Sequence, residues 1–231
     1  MKKLLCVVFA LLCMSAAPIA KNTVKKSNGI NLTKNNLVVL RGEINGESIS
    51  KAMVQIMSMS NNHPILFIAS PGGSIIDGMQ FVQFLKDSGK KVTCIADRAF
   101  SMAFAIMQAC DKRVVMENSE MMQHLASFGL QGPAANLKTQ YEHILSIVDS
   151  LEKMQAKRMH KDLEQFRKDR LSDLWLYGKK IVEYGAADSL EKVTCDKDLW
   201  TDTVKEEQVL LGTLKVQIVY SACPLARDPI K

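Results

Sequence analysis

The chain has 231 residues, a formal net charge of +6 and a hydrophobic content of 47%. This length and composition fit one globular domain with a sizeable core and exclude a disordered chain or a coiled coil. Mild basicity without a stripe of Lys and Arg or an aromatic platform gives no indication of nucleic acid binding.

The N-terminus has the pattern of an export signal. Two lysines precede an apolar run over residues 4–13, and small residues follow through residue 20. The run is too short to span a bilayer, so we expect residues 1–20 to be a secretory signal peptide, with an uncleaved membrane anchor as the alternative. A signal peptide predicts a periplasmic or secreted protein. Residues 21–36 are polar and predict a flexible mature N-terminus.

Four of the six cysteines lie beyond the predicted signal peptide, an even number that is compatible with an oxidising compartment. Cys94 lies in an apolar strand pattern and Cys110 ends an apolar helix pattern, so we expect free buried thiols there. Cys195 and Cys223 lie near the C-terminus, where the sequence leaves open whether they form a disulfide. No CxxC motif or His/Cys pair has metal-ligand spacing, so the sequence predicts no metal site.

Short β-rich runs alternate with helical patterns in the first half of the chain. The strand patterns cover residues 37–40, 65–69, 91–96 and 113–116, and the helical patterns cover 48–60, 75–86 and 101–109. This alternation predicts an α/β fold with a parallel sheet. In such sheets, functional residues gather where strands end and helices begin.

The second half of the chain contains a long helical pattern over residues 134–160, apolar on one side. Its apolar stripe must be buried, either against another subunit or across the chain's own sheet. Asp162 and Gln165 fit a capping box for a short helix that follows. A C-terminal extension over residues 191–231 contains one strand-like run, 214–220.

Ser101 precedes an apolar helix pattern, where serine is most often a helix cap. The same position has a chemical use, because the N–H of Met102 at the helix N-terminus can hold an oxyanion. The turn Ser70-Pro71-Gly72-Gly73 follows a strand pattern, and its glycines let the backbone approach a substrate closely. We therefore expect the N–H of Gly73 to be a second oxyanion donor.

His124 is the one histidine of four that lies at a predicted strand end, which makes it the candidate base. Asp173 is the candidate carboxylate to orient it, because the apolar residues 174–177 are expected to bury it partly and strengthen a bond to imidazole. The competing carboxylates are Asp162, Asp169 and Asp188. A serine, a base, an orienting carboxylate and oxyanion donors are the groups that acyl-bond hydrolysis needs.

Six motifs follow one another along residues 37–190. They are Leu40-Arg41-Gly42-Glu43-Ile44, Ser70-Pro71-Gly72-Gly73-Ser74 with Gly78-Met79, Ala99-Phe100-Ser101-Met102-Ala103, Met122-Gln123-His124, Asp173-Leu174-Trp175-Leu176, and Val182-Glu183-Tyr184-Gly185-Ala186-Ala187-Asp188. In this order and spacing the segment resembles the peptidase subunit of the Clp protease, ClpP, within the crotonase-like superfamily.

The resemblance implies a ClpP/crotonase-like core of repeated ββα units in a spiral, with a long protruding helix. It matches Ser101 to the nucleophile, His124 to the general base and Asp173 to its orienter. Gly73 and Met102 match the amides of the oxyanion hole, and no cofactor is implied. Family members form stacked sevenfold rings around an enclosed chamber, so the resemblance implies a homo-oligomer that acts on peptides or unfolded proteins.

These patterns predict an exported serine endopeptidase that works through an acyl-enzyme. The family acts with an ATP-driven unfoldase, a partner that we do not expect here because ATP is not available outside the cytoplasm. Three alternatives remain: an inactive ClpP-like scaffold subunit, a crotonase-like acyl-CoA enzyme with the same backbone oxyanion hole, and a membrane-associated signal-peptide peptidase with a Ser-Lys pair.

Overall fold

The computed structural model describes residues 29–210 and 214–226, so the predicted signal peptide lies outside the described residues. The strands are β1 (Ile30–Leu32), β2 (Leu37–Arg41), β3 (Ile65–Ser70), β4 (Thr93–Phe100), β5 (Lys112–Gln123), β6 (Leu174–Tyr177), β7 (Ser189–Leu190), β8 (Val193–Cys195), β9 (Thr203–Leu210) and β10 (Leu214–Ser221). The helices are α1 (Gly46–Ser58), α2 (Ile75–Asp87), α3 (Met102–Ala109), α4 (Ala134–Arg158), α5 (Leu163–Asp169), α6 (Lys179–Tyr184) and α7 (Lys197–Thr201).

The central sheet has the strand order β2-β3-β4-β5-β6, and β7 pairs with the start of β5. Strands β2 to β5 are parallel, whereas β6 is antiparallel to the end of β5. All six residues of β3 are buried, as is typical of a parallel strand covered on both faces. The predicted mixed α/β fold with a central sheet is confirmed.

The two faces of the sheet are covered by different parts of the chain. Leu66 and Ile68 of β3 pack in the core formed with the helices. Phe67 and Ala69, which alternate with them, pack instead against residues of the C-terminal segment, including Leu199. The C-terminal segment therefore completes the second hydrophobic core of the chain.

Strand β5 is long and has an irregularity in its middle. This irregularity determines which residue of β5 lies beside the end of β4. Ala96 of β4 pairs with Val115, and Arg98 pairs with Glu120. Between these two pairs β4 advances by two residues, whereas β5 advances by five. Ser119 is fully buried at the irregularity and donates from Oγ to the carbonyl oxygen of Ala96, at 2.6 Å. The polar residues that interrupt the apolar pattern of β5 thus form a bulge inside one strand.

Several local expectations differ from the structure. Helix α1 begins at Gly46, two residues before the predicted helical pattern, because Asn45 caps it and forms a capping box with Ser48. Half of the predicted capping box of α5 is present: the Asp162 side chain accepts from the N–H of Gln165 at 2.9 Å, but the Gln165 side chain donates to Asp169 instead. Within the predicted N-terminal segment 21–36, residues 30–32 form β1 and pair with β8, and Leu32 is fully buried in the second core, while residues 21–28 lie outside the described residues.

The prediction of free thiols at Cys94 and Cys110 is wrong, because the two residues form a disulfide. Cys94 lies near the start of β4 and Cys110 directly follows α3. Helix α3 turns back over β4, so the two ends of this strand–helix unit meet, with the Cα atoms 5.9 Å apart. A second disulfide joins Cys195 to Cys223 and connects β8 to the residues after β10.

Helix α4 has an inner half that packs on the core and an outer half that does not. Leu151, Glu152, Gln155 and Ala156 in the inner half are buried. Tyr141 and Leu145 in the outer half are exposed. Among the helices of the described residues, none is both long and apolar enough to cross a membrane.

Replacing both Cys94 and Cys110 by alanine should lower the free energy of unfolding by about 3 kcal/mol, because a crosslink across a loop of this size restricts the unfolded chain. Urea denaturation of the variant and the wild type measures this difference. Alkylation in denaturant without reductant is the direct check, and it should leave all four cysteines of the described residues unmodified. Alkylation at positions 94 and 110 would show that the first disulfide is absent.

Candidate active site

The sheet register brings the three predicted residues to the same edge of the sheet. Phe100 at the end of β4 pairs with Met122 of β5, and Gln123 at the end of β5 pairs with Leu174 of β6. Ser101 and His124 therefore follow neighbouring parallel strands at the same level. Asp173 directly precedes Leu174, so in the antiparallel register its backbone comes opposite that of His124.

Ser101 has a backbone conformation that is unusual for a residue with a side chain. Its φ is 53° and its ψ is −117°, values that are unstrained only for glycine and cost of the order of 1–3 kcal/mol elsewhere. Its N–H donates to the carbonyl oxygen of Met122 at 2.9 Å, which fixes the turn against β5. The turn joins a β-strand directly to a helix, the setting of a nucleophile elbow.

The Ser101 hydroxyl makes no capping hydrogen bond to α3, although the residue occupies the N-cap position. Asn45, Ser74 and Asp162 occupy the same position before their own helices, and each accepts a capping bond through its side chain. The helix-cap interpretation of Ser101 therefore lacks the bond that would support it.

The turn at Gly72 and Gly73 lies against the Ser101 turn. A Cβ atom built on Gly72 would come 2.7 Å from the Ser101 Cβ and 2.9 Å from the Met102 nitrogen, so only glycine fits. Gly73 forms a parallel bridge with Ile44, where a Cβ would overlap the Ile44 carbonyl oxygen. Both glycines thus allow close backbone approach at positive φ, 97° and 147° respectively.

The bridge also determines which way the Gly73 N–H points. Ile44 donates to the carbonyl oxygen of Gly72 and accepts from the N–H of Ser74, each at 2.8 Å. Successive N–H groups of extended chain point to opposite sides, so the Gly73 N–H points away from Ile44. Outside the helices and strands, no backbone hydrogen bond of the described residues has the N–H of Gly73 or Met102 as its donor. Met102 begins α3, where helical N–H groups have no intrahelical acceptor.

Ser101 and His124 both line a cavity of about 40 Å³ beside α3 and the inner half of α4. The apolar residues of its wall are Ile75, Met102, Ala105, Ala126, Val148 and Leu151. His124 itself is held through its main chain, since its N–H donates to Gln123 Oε1 at 3.1 Å. A small apolar cavity beside a serine and a histidine can accept one side chain of a bound substrate.

Asp173 is exposed, so the expectation that residues 174–177 bury it is wrong. In β6 the side chains alternate, and Trp175 and Tyr177 are exposed while Leu176 is buried. Within residues 29–210 and 214–226, no hydrogen bond or ion pair joins Asp173 to His124, or His124 to the Ser101 hydroxyl. Asp173 has a positive φ of 52°, which marks a second turn of unusual conformation at the same sheet edge.

The carboxylates that competed with Asp173 have other partners. Asp162 caps α5, and Asp169 accepts from the Tyr184 hydroxyl at 2.5 Å. Burial and this bond raise the pKa of Tyr184 above its ordinary value. Burial opposes ionisation of Asp188, but its bonds to Arg113 outweigh that and hold its pKa below the ordinary value.

Four buried polar residues that line the cavity were missed by sequence reasoning. They are Gln123, Glu152, Gln155 and Arg170, with exposed fractions between 2% and 7%. The available signal was weak: Glu152 and Gln155 lie one helical turn apart, within the half of α4 whose apolar stripe predicted burial. A glutamate and a glutamine on a long polar helix are ordinarily solvent-exposed.

A strained serine at a strand–helix junction is the position that the nucleophile occupies in α/β serine hydrolases, and here a histidine follows the neighbouring strand. The family model described as Clp protease matches residues 21–193 of this chain. The chain therefore belongs to the Clp protease family, as the motifs predicted, and this family is one of serine peptidases.

Replacing Ser101 by glycine should give a more stable protein than replacing it by alanine. Both variants lack the hydroxyl, but only glycine adopts the positive φ without strain, so we expect a difference of about 1 kcal/mol in the free energy of unfolding. Urea denaturation of the two variants under identical conditions measures it. An alanine variant as stable as the glycine variant would mean that the turn is not strained.

Proposed function

We propose that the protein is a serine endopeptidase with Ser101 as nucleophile and His124 as general base. The observation that carries the proposal is the strained Ser101 turn, whose hydroxyl is not used as a cap and which lies beside His124 on neighbouring strands. The shared cavity gives a substrate access to both residues. The family supports peptide bonds as the target.

In the proposed reaction, His124 takes the proton of the Ser101 hydroxyl as the oxygen attacks the peptide carbonyl. The N–H groups of Gly73 and Met102 stabilise the resulting oxyanion. His124 then gives the proton to the leaving amine, and the peptide's acyl part stays on Ser101. Water, deprotonated by the same histidine, attacks the acyl-enzyme and releases the acid.

Asp173 is the proposed orienter of His124, which it would reach when substrate is bound. One support is the β5–β6 register, which brings the two backbones opposite each other. The other is that the competing carboxylates already accept hydrogen bonds from other groups. Catalytic hydrogen bonds are often absent from unliganded enzymes and form in the substrate complex. A carboxylate on the second imidazole nitrogen then fixes the tautomer that accepts the serine proton.

The preferred substrates are proposed to have an apolar residue on the acyl side of the cleaved bond. The cavity beside Ser101 has a mostly apolar wall, and burying an aliphatic side chain there contributes about 1.5–3 kcal/mol. A charged side chain would lose its hydration without gaining a partner, since the buried charges of Glu152 and Arg170 already pair with each other.

Export and ring assembly are part of the proposal. Two disulfides in 29–210 and 214–226 fit an oxidising compartment, which supports the signal-peptide interpretation and action without an ATP-driven unfoldase. The exposed outer half of α4 suits the role of the protruding helix that joins stacked rings in the family's spiral ββα fold. Phe128 and Tyr141 are in ring contact there, with centroids 6.0 Å apart, and both are exposed.

The proposal is tested by incubating a mixed peptide library with the purified protein and identifying the cleavage products by mass spectrometry. Ser101→Ala and His124→Ala should each lower the cleavage rate by about 10⁴-fold, because loss of a triad member removes covalent catalysis. Asp173→Asn should also lower the rate by orders of magnitude. His63→Ala, at an exposed histidine shortly before β3, is the matched control and should cleave like the wild type.

The same incubation, run in parallel with an acyl-CoA in place of the peptides, separates the rival functions. No cleavage by a folded protein would favour the inactive scaffold, and hydrolysis of an acyl-CoA in place of peptides would favour the crotonase-like enzyme. Cleavage that survives Ser101→Ala would rule out the assigned nucleophile.

A further inference from the structure

We infer that one turn of α4, through Glu152 and Gln155, positions the nucleophile and the base, with Arg170 and Gln123 as the connecting side chains. These four are positioning residues, since none contacts the reacting atoms. The inference rests on the proposed function and extends it to residues outside the triad.

Arg170 connects the base with its proposed orienter. Its Nη1 donates to the carbonyl oxygen of His124 at 3.3 Å, and its own carbonyl oxygen accepts from the N–H of Asp173 at 3.3 Å. One residue therefore bonds to the main chain of both. The guanidinium is also held over the Phe166 ring, 4.5 Å from its centroid, which leaves it little freedom to move.

Glu152 holds Arg170 in this position. Its Oε1 accepts from Arg170 Nη2 at 2.5 Å, and its Oε2 accepts from Arg167 Nε at 2.8 Å. The Arg170–Glu152 pair is almost fully buried, whereas Arg167 is about one third exposed and also bonds to Asp149 and Glu164. The two arginines thus share a carboxylate, but only Arg170 bonds to His124.

Gln155, one turn further along α4, holds the nucleophile side. Its Oε1 accepts from Gln123 Nε2 at 2.5 Å, and Gln123 Nε2 also donates to the carbonyl oxygen of Ser101 at 3.3 Å. The oxygen of the same Gln123 amide accepts from the N–H of His124. Gln123 therefore bonds to the main chain of both Ser101 and His124, and Gln155 fixes the orientation of its amide.

Fold stability alone gives little reason to bury these groups. Replacing a buried ion pair by well-packed apolar side chains is often neutral or stabilising, because two desolvated charges recover little net energy. A polar network in which each amide oxygen and each carboxylate oxygen has a partner does, however, hold its members in one geometry. Precise placement matters for catalysis, since a displacement of about 1 Å can lower a rate by about a hundredfold.

The test compares the inactivation kinetics of the full-length protein with an alkyl fluorophosphonate, a probe that reacts with activated serines. The main variant is Glu152→Met with Arg170→Leu, an apolar replacement of the buried pair that should keep the thermal unfolding midpoint near that of the wild type. We expect its maximal inactivation rate to fall about tenfold to a hundredfold, while the probe concentration for half-maximal rate stays within about twofold.

Arg167→Leu is the matched control, because it removes the other arginine from Glu152 and leaves the bond from Arg170 to His124 in place. It should inactivate at the wild-type rate. Gln155→Leu tests the second connection independently and should lower the maximal rate without changing the probe concentration for half-maximal rate. If the main variant does not fold, Gln155→Leu still decides the inference.

The outcomes separate the inference from the proposed function. A wild type that the probe does not modify would overturn the proposed function itself. A wild type that reacts, with folded variants that react equally fast, would overturn the positioning role alone. Equal losses in the main variant and in Arg167→Leu would also overturn it, because the effect would then not depend on the bond from Arg170 to His124.

Discussion

The pairing of Phe100 with Met122 is the constraint on which the rest of the site depends. It sets the ends of β4 and β5 side by side, so Ser101, the residue after β4, and His124, the residue after β5, leave the sheet together. The bulge held by Ser119 supplies the shift that makes this pairing possible. Without it, the register at Ala96 and Val115 would continue, and His124 would lie several residues beyond Ser101.

The same region carries the strain that the fold must offset. Ser101 has a positive φ and the turn before α2 requires two adjacent glycines, so local conformational preference opposes both turns. Offsetting interactions surround them: the core contacts of α3 and the Cys94–Cys110 disulfide, which joins the two ends of the unit that contains Ser101. A strained turn persists where the surrounding structure determines it in this way.

Much of the fold could be predicted from local patterns. Apolar runs such as 65–69 and periodic segments such as 75–86 lie within β3 and α2, because buried parallel strands and amphipathic helices have distinct periodicities. The Cys94–Cys110 disulfide could not be predicted, because it depends on α3 folding back over β4. Strand β1 was missed for the same reason, since its partner β8 lies about 160 residues further along the chain.

The candidate residues could be selected from the sequence, but their surroundings could not. Ser101 could be chosen because it precedes a helix pattern, and His124 and the Gly73 turn because each follows a strand pattern. The exposure of Asp173 could not be predicted, since it depends on which face of β6 turns inward. Glu152 and Arg170 are buried because of the way α4 packs against α5. The polar residues of these segments do not predict that tertiary contact.

The most direct test of the account is to map a fluorophosphonate adduct on the purified protein by tandem mass spectrometry. The account predicts one adduct per chain, located on Ser101 and absent after the His124→Ala substitution, because the serine is reactive only with its base in place. An adduct on any other residue, or one on Ser101 that persists without His124, would contradict the proposed pairing of nucleophile and base.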